Sequence, residues 1–152
     1  MQQVKKNFST PDETRSIKKG QIEILHLAPE VPVMRVTFEP GWKWSECVKP
    51  VAKTDSCQVP HLQYVVSGRI VIRMDDGSET EYGPGDLGYI PPGHDAWVVG
   101  NEPFVAIDYQ RLALREARVV FSFTRVEIPR SINTITDAQI EKLWELFIWE
   151  SS

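Results

Sequence analysis

The sequence predicts an all-β fold, a jelly-roll sandwich or barrel finished by a short C-terminal α-helix. Three observations carry this expectation. The 11 prolines and 9 glycines of the 152-residue chain punctuate short runs of β-branched residues, which is the texture of many short strands joined by turns. Several runs alternate apolar and polar residues with the period of two that a half-buried strand needs. Only after Pro129 does the period become helical. A jelly roll is a standard way to build a domain from short strands while limiting exposed sheet edges.

In order along the chain, residues 1–20 show no clear period and read as an arm. QIEILHL then alternates, with Ile22, Ile24 and His26 on one face and Glu23, Leu25 and Leu27 on the other. PVMRVTF alternates through Val33, Arg35 and Thr37 against Met34, Val36 and Phe38, until Pro40-Gly41 breaks it. Between Trp42 and Pro60 there is no clean period, so this stretch reads as a long loop, and long loops in compact domains are usually functional. HLQYVVSGRIVIRMDDG is the strongest strand signal, interrupted at Ser67-Gly68 and closed by an Asp76-Gly77 hairpin turn. GPGD and PPGH are turn signals flanking the short strand LGYI.

HDAWVV, FVAIDYQRLAL and ARVVFSFTRVEIP follow as further strands. In TDAQIEKLWELFIWE, Thr136 and Gln139 form a capping box, and Ile140, Leu143, Trp144 and Phe147 recur at helical spacing. The predicted organisation is thus an arm over 1–20, a β-barrel over 21–129 and a helical tail over 130–152.

Charge and composition exclude several functions. The net charge of −4 has no basic tract behind it, and the cluster VKKNF is too short to follow a phosphate backbone. Nucleic acid is not an expected partner. The N-terminal stretch lacks the apolar core of a signal peptide, and no apolar run approaches the ~20 residues of a membrane span. A cytoplasmic protein without membrane contact is expected. In a reducing cytosol Cys47 and Cys57 are thiols or metal ligands more readily than a disulfide, although spacing leaves the disulfide open.

The residues that can carry chemistry gather at the heads of two strands. Period-two geometry puts His61, Gln63 and Val65 on one face, and His94, Ala96 and Val98 on one face opposite Asp95 and Trp97. If both faces point into a barrel, His61 and His94 converge near one rim. The irregular loop adds Cys47 and Cys57 beside Glu46 and Asp55. Thiolate with imidazole suits zinc, iron or copper, whereas magnesium and calcium want oxygen. The same side chains are equally read as packing residues, since free cysteine is commonly buried. His26 stands alone in its strand and reads as a surface or satisfied histidine. Trp42, Trp44 and Trp97 are core filler or pocket walls.

PGWKWSECVKP, YVVSGRIVIRMDDG and GPGDLGYIPPGHDAWVV resemble, in this order, a small single-domain cupin of the conserved-barrel kind, over roughly residues 31–110. Gly85, Pro91, Gly93 and His94 stand where the second cupin motif has them, with Val98 at the closing asparagine position. In the first motif Cys47 and Lys49 take the two histidine positions and His61 takes the glutamate position. The segment between them is longer than usual, and Cys57 lies in the extra length. The resemblance implies a cupin jelly-roll β-barrel with a divalent transition metal, zinc or iron foremost. The ligands it implies are Cys47, His61 and His94, with Cys57 as a fourth candidate.

The implied activity is that of a metal-dependent cupin enzyme acting on a small organic molecule, of dioxygenase, isomerase or lyase type. Gln63, Trp42, Trp97 and Glu46 would line the substrate pocket. The alternative is a non-catalytic small-molecule binding or sensing cupin, with or without metal. A third reading makes Cys47 and Cys57 a redox-responsive thiol pair on zinc. Small cupins often pair, so a homodimer is expected, with residues 116–152 as barrel extension or interface.

Overall fold

The computed structural model describes residues 3–28 and 31–109. The described residues form the strands β1 (Glu13–Ile17), β2 (Gly20–Ala28), β3 (Val31–Phe38), β4 (His61–Ser67), β5 (Arg69–Met74), β6 (Glu79–Tyr82), β7 (Leu87–Ile90), β8 (His94–Val99) and β9 (Phe104–Asp108), of which β1 and the polar β6 were not expected from the sequence. They form two antiparallel sheets, one ordered β1-β2-β3-β9-β4-β7 and one ordered β6-β5-β8. The alternation explains the pairing of faces. Ile22, Ile24, Met34 and Val36 of the larger sheet share one core with Ile70, Ile72, Ala96 and Val98 of the smaller. Apolar burial across this interface supplies most of the driving force, at roughly 25 cal/mol per Å².

β9 sits in the middle of the larger sheet. It pairs with β3 from Met34↔Asp108 to Phe38↔Phe104 and with β4 from Gln63↔Asp108 to Ser67↔Val105. Its inward residues Phe104, Ala106 and Asp108 are all buried. The register therefore carries one carboxylate into an otherwise apolar row.

Two expectations are corrected here. The arm is not without structure, because β1 pairs with β2 from Glu13↔Ile24 to Ile17↔Gly20. Its sequence, ETRSI, is that of a polar edge strand and gives no apolar alternation to read. The long loop after β3 holds two single helical turns, α1 (Trp44–Cys47) and α2 (Lys49–Ala52). Pro50 lies in the first turn of α2, where its missing N–H costs nothing, and Lys53 in the left-handed region ends the turn. The strand and helix expected over residues 117–150 lie outside the described residues, as does the end of FVAIDYQRLAL.

Gly68, between β4 and β5, has φ +70, and a Cβ there would lie 2.4 Å from the Pro103 carbonyl oxygen. Backbone conformation and close approach both require glycine. Gly77 also has positive φ, but nothing lies within 4 Å of its Cβ position. Gly68→Ala should lower stability by about 3 kcal/mol, and Gly77→Ala by only about 1 kcal/mol, read from urea unfolding midpoints. Equal losses would show that the Pro103 contact is unimportant.

Candidate metal centre

The site begins with a loop fixed to a strand by its backbone. Cys57 belongs to no named strand, yet it forms an isolated antiparallel bridge with His94. The Cys57 N–H donates to the His94 carbonyl at 2.7 Å, and the Gly93 N–H donates to the Cys57 carbonyl at 2.7 Å. Gly93, at φ +90, makes the turn that lets β8 start on His94. His61 starts β4 just after Pro60, and Asp108 lies opposite Gln63, two residues along the strand on the same face. Three separate segments thus bring Cys57, His61 and His94 together, with their donor atoms all within 4.8 Å of one another.

The imidazoles are oriented from behind. His61 Nδ1–H donates to Asp108 Oδ2 at 2.6 Å, and His94 Nδ1–H donates to the Pro91 carbonyl at 2.8 Å. An acceptor at Nδ1 fixes the tautomer that leaves the Nε2 lone pair for the site. His61 Nε2 stands 3.6 Å from Cys57 Sγ, and the two rings meet edge to face with centroids 5.3 Å apart.

These three donors form a group that could hold a metal ion, and the 3.6 Å between His61 Nε2 and Cys57 Sγ is the spacing of neighbouring ligands. Usual zinc–nitrogen and zinc–sulfur lengths put neighbouring donors about 3.3–3.8 Å apart, and metal-bound histidines characteristically carry a carboxylate or carbonyl on the other nitrogen. Three protein donors leave one position for water or substrate.

The electrostatics agree. Burial alone would raise the Cys57 thiol, but hydrogen bonds to His61 and His94 outweigh it and hold the thiol at about 6. Burial alone would lower His61, but the Asp108 charge, and then hydrogen bonds to Asp108 and Cys57, raise it to about 10. Without a metal the arrangement is a thiolate beside an imidazolium.

The three donors and Asp108 face a cavity of about 760 Å³ inside the sandwich. Residues 40–106 match the EutQ-like cupin domain family. A protein of unknown function from Rhizobium leguminosarum bv. viciae 3841 has a similar structure, with 18% identity and a TM-score of 0.53 over 71% of this chain and 95% of that one. The barrel is a small cupin domain.

KdgF from a Halomonas species aligns with 18% identity and a TM-score of 0.45 over 63% of this chain and 82% of its own. A variant of Bacillus subtilis oxalate decarboxylase OxdC aligns with 24% identity and a TM-score of 0.44 over 65% of this chain, but over only 28% of its own. No curated protein matches the chain significantly.

Within this cupin the implied ligand set changes. His61 and His94 meet, but the thiol that joins them is Cys57 and not Cys47. Cys47 ends α1, buried in the cavity wall outside the donor group. Both cysteines are free thiols. Lys49, at the other histidine position of the first motif, is engaged instead by Asp55 at 3.2 Å. The extra loop length therefore does more than separate the motifs, since it delivers the thiol.

The expected pocket residues divide. Gln63, Trp42 and Glu46 line the cavity. Trp97 does not. It lies on the outer side of β8 with the Arg73 guanidinium 5.6 Å and the Lys43 ammonium 6.0 Å from its ring, on the opposite side from His94 as strand alternation requires. His26 is exposed and bonds Glu13 at 2.8 Å. Asp108 was not among the expected site residues. Its signal was present as an acidic residue in the inward phase of FVAID, where a carboxylate needs a partner.

Two outcomes follow. Asp108→Asn should weaken zinc binding about 10- to 100-fold in competition with a chromogenic chelator; unchanged affinity would mean that Asp108 does not orient the ligand. Because His61 is raised to about 10, it carries a proton at neutral pH and must release it to a metal. Apparent affinity should rise by about tenfold per pH unit between pH 7 and 9, with proton release seen by titration calorimetry in buffers of different ionisation enthalpy. A pH-independent affinity would exclude the pairing described.

Proposed function

We propose that this cupin binds one divalent transition metal, zinc or iron, through Cys57, His61 and His94, and acts on a small organic molecule held in the barrel. The observation that carries the reading is the pair of imidazoles, each fixed at Nδ1 by an acceptor, converging on one thiol. A bound divalent ion would supply a Lewis acid for a carbonyl or an activated water, which suits isomerase or lyase chemistry, and as iron would suit dioxygenation.

The chain's own residues have separable roles in this reading. Asp108 holds His61 in the ligating tautomer. Gln63, buried in the cavity wall with its Nε2 unpartnered, orients the ligand. Trp42 and Trp44, both buried and cavity-lining, exclude water from the centre. Glu46 is exposed at the cavity wall, where it meets what enters.

One observation favours a second reading, a binding or sensing cupin without turnover. The only carboxylates among the described cavity residues are Glu46, which is exposed, and Asp108, which is engaged by His61. Among the described residues no unengaged carboxylate stands beside the centre as a general base.

A homodimer remains part of the proposal. Among the described strands β7 ends the larger sheet, with no charged residue in LGYI. Leu87 and Tyr89 are exposed there, beside exposed Tyr64 and Val66 of β4. An uncharged apolar edge is normally covered.

Elemental analysis of the purified full chain should find one transition metal per chain in wild type and in Cys47→Ser. It should find none in His94→Ala or Cys57→Ser. Metal lost with Cys47→Ser but kept with Cys57→Ser would restore the ligand set implied by the motif alone; no metal in any sample after reconstitution would leave the metal-free binding reading. Light scattering should give the mass of two chains for wild type and a smaller mass for Leu87→Lys, and a wild-type monomer would reject the dimer.

A further inference from the structure

The cavity changes chemistry across its width, and the strand order gives its direction. Among the described strands β1 is one edge of the larger sheet, and β2, β3 and β9 lie between it and β4. At about 4.8 Å per strand, β1 and β4 are about 19 Å apart along the sheet. The cavity reaches both. Around β1 it is lined by Thr14, Arg15, Ser16 and Lys18 with Ile17 among them, and at β9 and β4 by Asp108, His61 and Gln63.

Between these polar ends the wall changes character. The cavity is lined there by Ile22 of β2, Met34 and Val36 of β3, and Ile70 and Ile72 of β5 on the facing sheet. Phe38 and Trp42, which also line it, stack with centroids 3.9 Å apart and planes 2° from parallel. Apart from the unpartnered Trp42 Nε1–H, the side chains of this middle stretch named here offer the ligand no hydrogen-bonding group except the weakly accepting Met34 thioether. A sugar or a short diacid placed across it would lose hydration without replacement, at roughly 1–3 kcal/mol for each unpaired polar group.

We propose that the ligand is an elongated amphipathic acid or carbonyl compound lying across the strands, with its oxygen-bearing head at Cys57, His61 and His94, an apolar chain or ring over β2 and β3, and its far end beside β1. This rests on the metal-centre reading for the head group and on the wall alone for the body. The wall thus selects against small hydrophilic substrates. Specificity for the body comes from Met34, Val36, Ile70 and Ile72, none of which is a ligand to the centre.

The test is a series of straight-chain carboxylates, butanoate to decanoate, titrated calorimetrically into the zinc-loaded full chain beside oxalate and gluconate, with zinc content measured on each sample. Affinity should rise about two- to fourfold per methylene until the cavity is filled, and decanoate should bind far more tightly than oxalate or gluconate. Val36→Thr, which keeps the side-chain shape, and Met34→Gln should each weaken decanoate about fivefold or more while zinc content is unchanged. A flat chain-length series, tighter binding of oxalate or gluconate, or decanoate affinity indifferent to both wall variants would overturn the proposal. A chain-length dependence that persists in metal-free His94→Ala supports the apolar body and removes the metal from its recognition. Failure of the metal reading itself shows separately, in the zinc analysis.

Discussion

Three backbone hydrogen bonds between Cys57 and Gly93-His94 at the start of β8 are the constraint on which the site depends. The loop after β3 has little sheet pairing of its own, so its thiol has no reason to meet His61 and His94 unless the main chain is fastened. Other polar contacts stiffen the same point. Ser56 Oγ donates to Asp75 Oδ2 at 2.8 Å, and Gln58 Nε2 donates to Ser56 Oγ at 2.9 Å. Gly93 stands against Asp75 as well, since a Cβ there would lie 2.9 Å from Asp75 Oδ2. A side chain at 93 would press on the carboxylate that anchors the loop.

The centre concentrates buried polar groups, Gln63, His94 and Asp108 among them, within a largely apolar interior. Asp108 is 2% exposed, and its Oδ1 has no partner among the described residues. Burying a carboxylate costs several kcal/mol, and an ion pair with His61 returns only part of that. An apolar residue at 108 would pack β9 against β3 and β4 at least as well. The fold tolerates the charge because the central strand is held by pairing on both sides. Such a local loss of stability is typical of sites that orient a ligand.

How much of this was legible in the sequence follows from what each signal depends on. His61 and His94 could be placed on inward faces because alternation is a local property of a strand, and the strands lie where alternation put them. Cys57 could be noticed but not chosen over Cys47. The choice turns on how a loop without periodicity folds, and α1 carries Cys47 into the wall while the bridge to His94 brings in Cys57. Counting along a motif assumes the usual loop length, which this chain departs from. Trp97 was expected in the pocket although the same alternation rule sets it opposite His94, and the rule prevails. β1 was illegible because a polar edge strand has no buried face to impose a pattern. Asp108 became meaningful only once the β4–β9 register set it beside Gln63 and within reach of His61.

The position of β9 also bears on the order in which the molecule assembles. Of the described strands it is the last in the chain, yet it lies between β3 and β4, which cannot join the same sheet without it. Long-range pairings of this kind form slowly because loop closure comes before any gain from contact. During synthesis Cys57 and His61 leave the ribosome well before Asp108. Until β9 inserts, the nascent chain carries an uncovered thiol beside an imidazole that lacks its carboxylate. The interval before the last described strand is made is therefore when this thiol is most open to oxidation or to capture of the wrong ion.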